Sequence, residues 1–265
     1  SLCAAVMLAE LDRVFTSREV IKRLGERGVD LQALLQRVEV HYLEDISAGI
    51  GRAERRAALV AVKLLPAMVL EPLCCRRTEG SEIAAILFTS GSEGRPRGVM
   101  LSHRNIMANV KQASDVLNME EHDVLMAQLP LFHAFGLTVG QFLPLVEGLP
   151  VICHPDPTDA LGVAKAVARY HATVLCATST FLRLYIKHPK VHPLMLDPLR
   201  VVIAGAEKLS ADVRDAFKLK FHKDIMEGYG TTETAPVASV NLPDQLDTDY
   251  WSVQQGNKAG SVGMP

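Results

Sequence analysis

At 265 residues, with 48% hydrophobic side chains, the chain has enough apolar material for a sizeable buried core. Lys plus Arg number 28 against 30 Asp plus Glu, so net charge supplies no footprint for nucleic acid or an acidic membrane, and partners have to be argued from sites. The five cysteines (Cys3, Cys74, Cys75, Cys153, Cys176) are odd in number and lack CxxC spacing, which argues against a disulfide framework or a zinc site and for a reducing, cytoplasmic setting.

The apolar opening "SLCAAVMLAEL" has no basic leader and is cut by Glu10 and Asp12, so no secretory signal is expected. A strand at 13–17, a helix over 18–28 closed by Gly28 and a strand at 38–45 ("VEVHYLED") form one predicted βαβ unit. Residues 57–73 are the most membrane-like stretch, but Lys63, Pro66 and Glu71 break it well short of the ~20 apolar residues that span a bilayer. A buried helix is expected there. An interfacial helix is the alternative, because "GRAERR" at 51–56 places basic residues at one end. The vicinal Cys74 and Cys75 are expected to be buried thiols.

Residues 82–90 form an apolar strand running into a polar loop, followed by a helix over 102–117 with Ser102 as its N-cap. Strands are then predicted at 123–130, 150–155, 173–179 and 199–207. Helices are predicted after the 129–140 loop and over 158–172, 180–188 and 210–221, the last capped by Ser210. Two more strand-like runs, 224–230 and 236–243, precede a polar tail that suggests truncation. The fold class expected from this alternation is α/β, with parallel strands, flanking helices and ligands beyond the carboxyl ends of the strands.

Two loops carry chemistry. "TSGSEGRPRG" (89–98) offers the hydroxyls of Thr89, Ser90 and Ser92 and the backbone freedom of Gly91, Gly94 and Gly98, which suits a phosphate cradle. It equally describes a polar turn: no Gly-Lys-Ser/Thr follows as in a Walker loop, and Glu93 opposes the charge of Arg95 and Arg97. "EGYGTTETAP" (227–236) sets Tyr229 between Gly228 and Gly230, adds Thr231 and Thr232, and ends in Glu233, a hard oxygen ligand suited to Mg²⁺.

These blocks, together with "SHRNIMANV", "LPLFHAFGLT", "AGAEKL" and "GSVGMP" in this order, resemble the large N-terminal domain of the adenylate-forming superfamily: acyl-CoA synthetases, luciferases and peptide-synthetase adenylation domains. The "SGSEG" variant, "LFHAFGLT" and the upstream "VEVHYLED" look most like bacterial acyl–acyl carrier protein synthetases, the synthetase part of 2-acylglycerophosphoethanolamine acyltransferases. The resemblance assigns 1–80 to a first βαβ portion of that domain and 81–265 to the ATP- and acyl-binding portion.

It implies a ligase that uses ATP and Mg²⁺ to activate a carboxylic acid, most simply a fatty acid, as acyl-adenylate and passes the acyl group to the thiol of an acyl carrier protein or CoA. Residues 89–98 would wrap the β- and γ-phosphates, with Arg97 where the family usually has lysine and Glu93 where it has threonine. His133 would orient the acid, or be an ordinary loop histidine, and Phe132 or Phe135 would wall the acyl channel. Gly205, Ala206 and Glu207 would lie along adenine, with Tyr229 stacked on it. Thr231 would donate to the α-phosphate, Thr232 is the weaker hydroxyl, and Glu233 would hold Mg²⁺.

Family members continue to a ribose-binding aspartate and a lid domain with a catalytic lysine, so the chain by itself is expected to turn over little. Membrane attachment would come from another domain. A binding module without activity and an amino-acid adenylation domain are the alternatives.

Overall fold

The computed structural model describes residues 2–26, 28–75, 77–90, 96–247 and 249–263. The chain divides into two compact units, one comprising residues 1–82 and 88–98 and the other residues 83–87 and 99–265.

In the first unit, α1 (Leu2–Leu8) precedes β1 (Arg13–Thr16), α2 (Arg18–Glu26), α3 (Gln32–Leu35), β2 (Glu39–Tyr42) and α4 (Leu43–Gly49). β1 and β2 pair in parallel from Arg13 opposite Glu39 to Thr16 opposite Tyr42, with α2 as part of the crossover. The strand expected over 38–45 stops at Tyr42, because Leu43-Glu44-Asp45 opens α4 with two carboxylates in its first turn, where the helix dipole favours them. Asp45 also accepts two hydrogen bonds from Arg18, at 3.0 and 2.7 Å, and that guanidinium lies 4.3 Å from the Tyr42 ring centre.

The unit continues with α5 (Arg52–Leu64) and α6 (Ala67–Cys74), which start after Gly51 and Pro66. Neither helix buries a single residue, so the buried helix expected over 57–73 is not what the chain forms. Cys74 and Cys75 are exposed for the same reason.

β3 (Ile83–Ser90) and β4 (Pro96–Ser102) make a two-stranded sheet through which the boundary between the units passes. A strand therefore separates the polar loop from the following helix, where a direct loop-to-helix step was expected. Leu101, 2% exposed, anchors β4 in the second unit's core.

The second unit begins its layered part with α7 (His103–Val116), whose Ser102 cap forms a reciprocal box. Asn105 N–H donates to Ser102 Oγ at 3.2 Å, and Ser102 N–H donates to Asn105 Oδ1 at 3.0 Å. There follow β5 (Leu125–Ala127), α8 (Ala134–Leu137), one π-helical turn (Thr138–Phe142), α9 (Leu143–Glu147), β6 (Val151–Cys153), α10 (Ala160–Tyr170), β7 (Val174–Ala177) and α11 (Ser179–Lys187). Then come β8 (Val201–Ala204), α12 (Ala211–Phe221), β9 (Met226–Gly230) and β10 (Val237–Val240). The tail, read as polar turns, forms a further pair, β11 (Gln245–Asp247) and β12 (Ser252–Gln254).

Six strands make one sheet in the order β10-β9-β8-β7-β5-β6, parallel except for β10. Alternate residues of one strand serve opposite cores. Leu175 and Ala177 join the cluster beneath α10, α11 and α12, while Val174 and Cys176 join the one beneath α7 and α9. That two-sided burial is why these strands read as unbroken apolar runs. It also pushes the Cys176 thiol up to about 12, so the thiol stays protonated. Ser210 stands at the start of α12 without capping it: its hydroxyl lies 3.4 Å from Ser179 Oγ and accepts from Arg183 at 3.1 Å.

Before β5, Asp123 is wholly buried and satisfied. Thr173 Oγ1 donates to it at 2.6 Å, Glu120 N–H at 2.8 Å and Arg200 Nε at 3.2 Å. Burial pushes its pKa up, but the hydrogen bonds from Arg200, Thr173 and Glu120 and the Arg200 charge outweigh that and hold it below the usual carboxylate range. Stability from this group is therefore present above the unfolded pKa of about 4 and lost as pH falls through the lower folded value. Asp123→Ala is expected to cost about 3 kcal/mol, the lower end for a broken buried pair because Arg200 is 32% exposed. Urea unfolding from pH 7 down to pH 3 checks both statements: the variant should start less stable and lose less on acidification.

Candidate active site

β5 and β7 are neighbours, and the crossover from β5 leads outward to β6 while that from β7 leads the other way to β8, so the connections reverse direction between these two strands. Such a reversal opens a crevice beyond the carboxyl ends of the strands. The segments leaving β5, β7, β8 and β9 all contribute to one cavity of about 390 Å³.

Its lining has two halves. His133, Thr178, Tyr229, Thr231 and Thr232 supply polar groups, and Tyr229 is 54% exposed. Ala113 of α7, Leu117 at its C-cap, Val139, Ile203 and Val240 supply a buried apolar wall. Among the described residues, no Asp, Glu, Lys or Arg lines it. Such a cavity receives a ligand with one polar and one apolar end, and it offers no fixed countercharge to an ammonium or a second carboxylate.

The loops are held rigidly. Asn109 of α7 exchanges two hydrogen bonds with the backbone of Val237, at 2.7 and 3.1 Å, which fixes the width between α7 and β10. Glu227 of β9 accepts from Leu209 N–H at 2.9 Å and so anchors the loop after β8. In that loop Ala206 has φ +67°, a left-handed conformation unfavourable to a residue with a Cβ. Thr231 N–H donates to Pro236 O at 3.1 Å and to Thr234 Oγ1 at 3.0 Å, closing the turn after β9. A Cβ on Gly230 would lie 2.0 Å from Pro236 O, and one on Gly136 would lie 2.2 Å from Pro130 O, so both backbone approaches require glycine.

Of the residues expected from sequence, the cavity gathers His133, Gly205, Ala206, Gly228, Tyr229, Gly230, Thr231 and Thr232. Phe135 lines it. Phe132, 70% exposed, does not, and packs against the His133 ring at 4.6 Å instead. Glu207 is also outside the lining: it accepts a hydrogen bond from Thr180 N–H at the start of α11 and another from Thr180 Oγ1 at 3.1 Å. Burial works to raise the Glu207 pKa, but hydrogen bonds from Thr180 and Thr178 and the charge of Arg183 bring it below the ordinary value.

Glu233 sits exposed in the short 3-10 turn Thr232–Thr234, outside the cavity lining. Thr89, Arg97 and Gly98 belong to the first unit. Gly91, Ser92 and Gly94, with Glu93 and Arg95, lie outside the described residues, and Ser90 is described only as the end of β3.

Sequence reasoning passed over Thr178, which caps α11 by accepting from Phe181 N–H at 3.3 Å, together with Phe181, Gly136 and Ser239. Thr178 lies at the carboxyl end of the strand predicted over 173–179, and that position was the available signal. Ala113 and Leu117 carried none, because they read as an ordinary helix face.

Residues 7–265 match the AMP-binding enzyme family. A long-chain-fatty-acid–CoA ligase of Yersinia pestis is 23% identical over an alignment covering 100% of this chain and 51% of that protein. A medium-chain fatty-acid–CoA ligase of Escherichia coli K12 is 35% identical, with 64% of this chain and 30% of that protein covered. Among solved structures, ATP-bound MatB from Rhodopseudomonas palustris superposes with a TM-score of 0.69 at 27% identity, covering 91% of this chain and 44% of that one. A malonyl-CoA ligase with methylmalonyl-CoA and AMP bound reaches 0.71 at 20% identity, covering 100% and 48%, and shows a shared fold. The chain spans between about a third and a half of the length of these relatives. With the cavity at its switch point, its glycine-framed tyrosine and its matched length, the chain belongs to the AMP-binding enzyme family.

Proposed function

We propose that the chain carries the acid-activating core of an ATP-dependent acid–thiol ligase whose acid is a fatty acid. In the first half-reaction the acid's carboxylate attacks the α-phosphorus of ATP, giving acyl-adenylate and pyrophosphate. In the second, a thiol takes the acyl group and AMP leaves. The observation that carries the reading is the division of the cavity into a hydroxyl-bearing half and an apolar half without a charged side chain. An adenylate presents a polar phosphate and ring to the first half, and an alkyl chain fits the second.

An amino acid would bring an ammonium, and burying it without a carboxylate partner is costly, which disfavours amino-acid adenylation. Tyr229 offers its ring face to adenine, with Gly205 and Ala206 alongside. Thr231 Oγ1, 3.5 Å from Thr234 Oγ1, donates to the α-phosphate. His133 orients the carboxylate. Such a site works by positioning and charge stabilisation, because a carboxylate is already a competent nucleophile.

The described residues contain no group of three His, Cys, Asp or Glu able to form a metal cage. A lone exposed Glu233 fits Mg²⁺ nonetheless, since that ion commonly takes one or two carboxylates and completes its shell with phosphate oxygens and water. When bound, Mg²⁺ neutralises phosphate charge. Residues 89–98, with Arg97, are assigned to the β- and γ-phosphates. The acceptor is the thiol of an acyl carrier protein or of CoA: the "SGSEG" and "LFHAFGLT" blocks support the first, and the named relatives are CoA ligases. Arg97, where the family usually has lysine, favours a second reading, a binding module without turnover.

Calorimetric titration with a non-hydrolysable fatty acyl-adenylate, AMP and an aminoacyl-adenylate analogue tests the proposal. Tightest binding of the fatty acyl form is expected, and equal binding of the aminoacyl form would overturn it. Tyr229→Ala should weaken AMP binding by about 1–3 kcal/mol, the scale of base–aromatic stacking; an unchanged affinity removes Tyr229 from the site. Leu117→Ala should deepen the apolar half and shift preference toward longer acyl chains, each added methylene gaining about 0.8 kcal/mol while room lasts. A chain-length series of acyl-adenylates reads this directly. In the longer protein, Glu233→Gln should raise the Mg²⁺ concentration needed for half-maximal pyrophosphate exchange, and an unaltered Mg²⁺ curve would remove the ligand role.

A further inference from the structure

The feature that the proposed reaction leaves unused is the α5–α6 pair. Leu59, Val60, Val62 and Leu64 of α5 are 52–75% exposed, and Met68 and Leu73 of α6 are 79% and 74% exposed. An apolar surface of this extent is unusual on a soluble domain and marks a place where something else excludes water. Its charge identifies the occupant. The chain as a whole has a net charge of −2, yet residues 51–77 hold six basic residues (Arg52, Arg55, Arg56, Lys63, Arg76, Arg77) against two acidic ones, Glu54 and Glu71. Of those two, Glu54 is spent on the Gly51 N–H at the start of α5, 2.8 Å away.

We propose that α5 and α6 seat the first unit on an anionic lipid surface, lying in the interface with Leu64 and Met68 in the acyl boundary and the arginines among the headgroups. No helix among the described residues is long and apolar enough to cross a membrane, so this is peripheral docking by partial insertion. A protein partner is the weaker fit. The basic excess beside the exposed apolar residues calls for a diffuse negative surface. The inference goes beyond the ligase reading and does not depend on it.

The test is co-sedimentation of the 265-residue chain with vesicles of pure phosphatidylcholine and with vesicles of equal parts phosphatidylcholine and phosphatidylglycerol. Binding to the anionic vesicles only, weakening as salt rises, is expected. Arg52→Gln with Arg56→Gln should lower the partition coefficient about fivefold per arginine. Arg55 is left in place because it bonds the Ser47 hydroxyl at 3.1 Å. Leu64→Glu with Met68→Glu should abolish binding. Both sites are exposed, so the far-ultraviolet circular dichroism and the AMP affinity should match those of the unchanged chain. Equal binding to both vesicle types, or none, overturns the proposal. So does a self-associated chain that Leu64→Glu with Met68→Glu converts to monomer, which would make the face an interface between copies.

Discussion

Parallel strands covered by helices on both faces leave a polar ligand no place except beyond their ends. In the second unit, successive residues of β7 and β8 enter opposite cores, and almost none of their side chains reaches water. Chemistry is thereby confined to the loops that leave the strands, and the reversal of connections between β5 and β7 decides which loops converge. Around the segment before β5 and the loops leading into β7 and β8, the chain spends buried polar groups on architecture. Asp123, Thr173 and Arg200 are tied together there.

The cavity's selectivity comes as much from what is missing as from what is present. Hydroxyls and one aromatic ring suit a nucleotide, and a charge-free apolar wall suits an alkyl chain. The rigidity of the frame matters equally. Asn109 fixes the gap between α7 and β10, and Glu227 fixes the loop carrying Ala206, so two edges of the cavity are held by the fold itself. The left-handed Ala206 is consistent with this, because a strained residue persists only where its surroundings over-determine it.

The first unit follows different physics. Its strand pair is short, its helices are mostly exposed, and its apolar residues are concentrated in α5 and α6 beside basic residues. Lys63 and the prolines break the apolar run well short of a spanning helix, and no residue of α5 or α6 is buried.

By itself the sequence determined the alternation of strands and helices, because apolar runs of four to eight residues and helical spacing are local properties that burial on both faces does not disguise. It also pointed to Tyr229, Thr231 and His133, since glycine-framed aromatic and hydroxyl-rich loops declare themselves in a few residues. Tertiary structure alone decided the rest. That Glu207 serves α11 and not the cavity depends on where the start of α11 lies. That Ala113 and Leu117 form the apolar wall depends on α7 crossing the strand ends. That residues 57–73 are exposed depends on nothing packing against them. Local pattern records what a side chain prefers to contact, and only the folded chain supplies the contact.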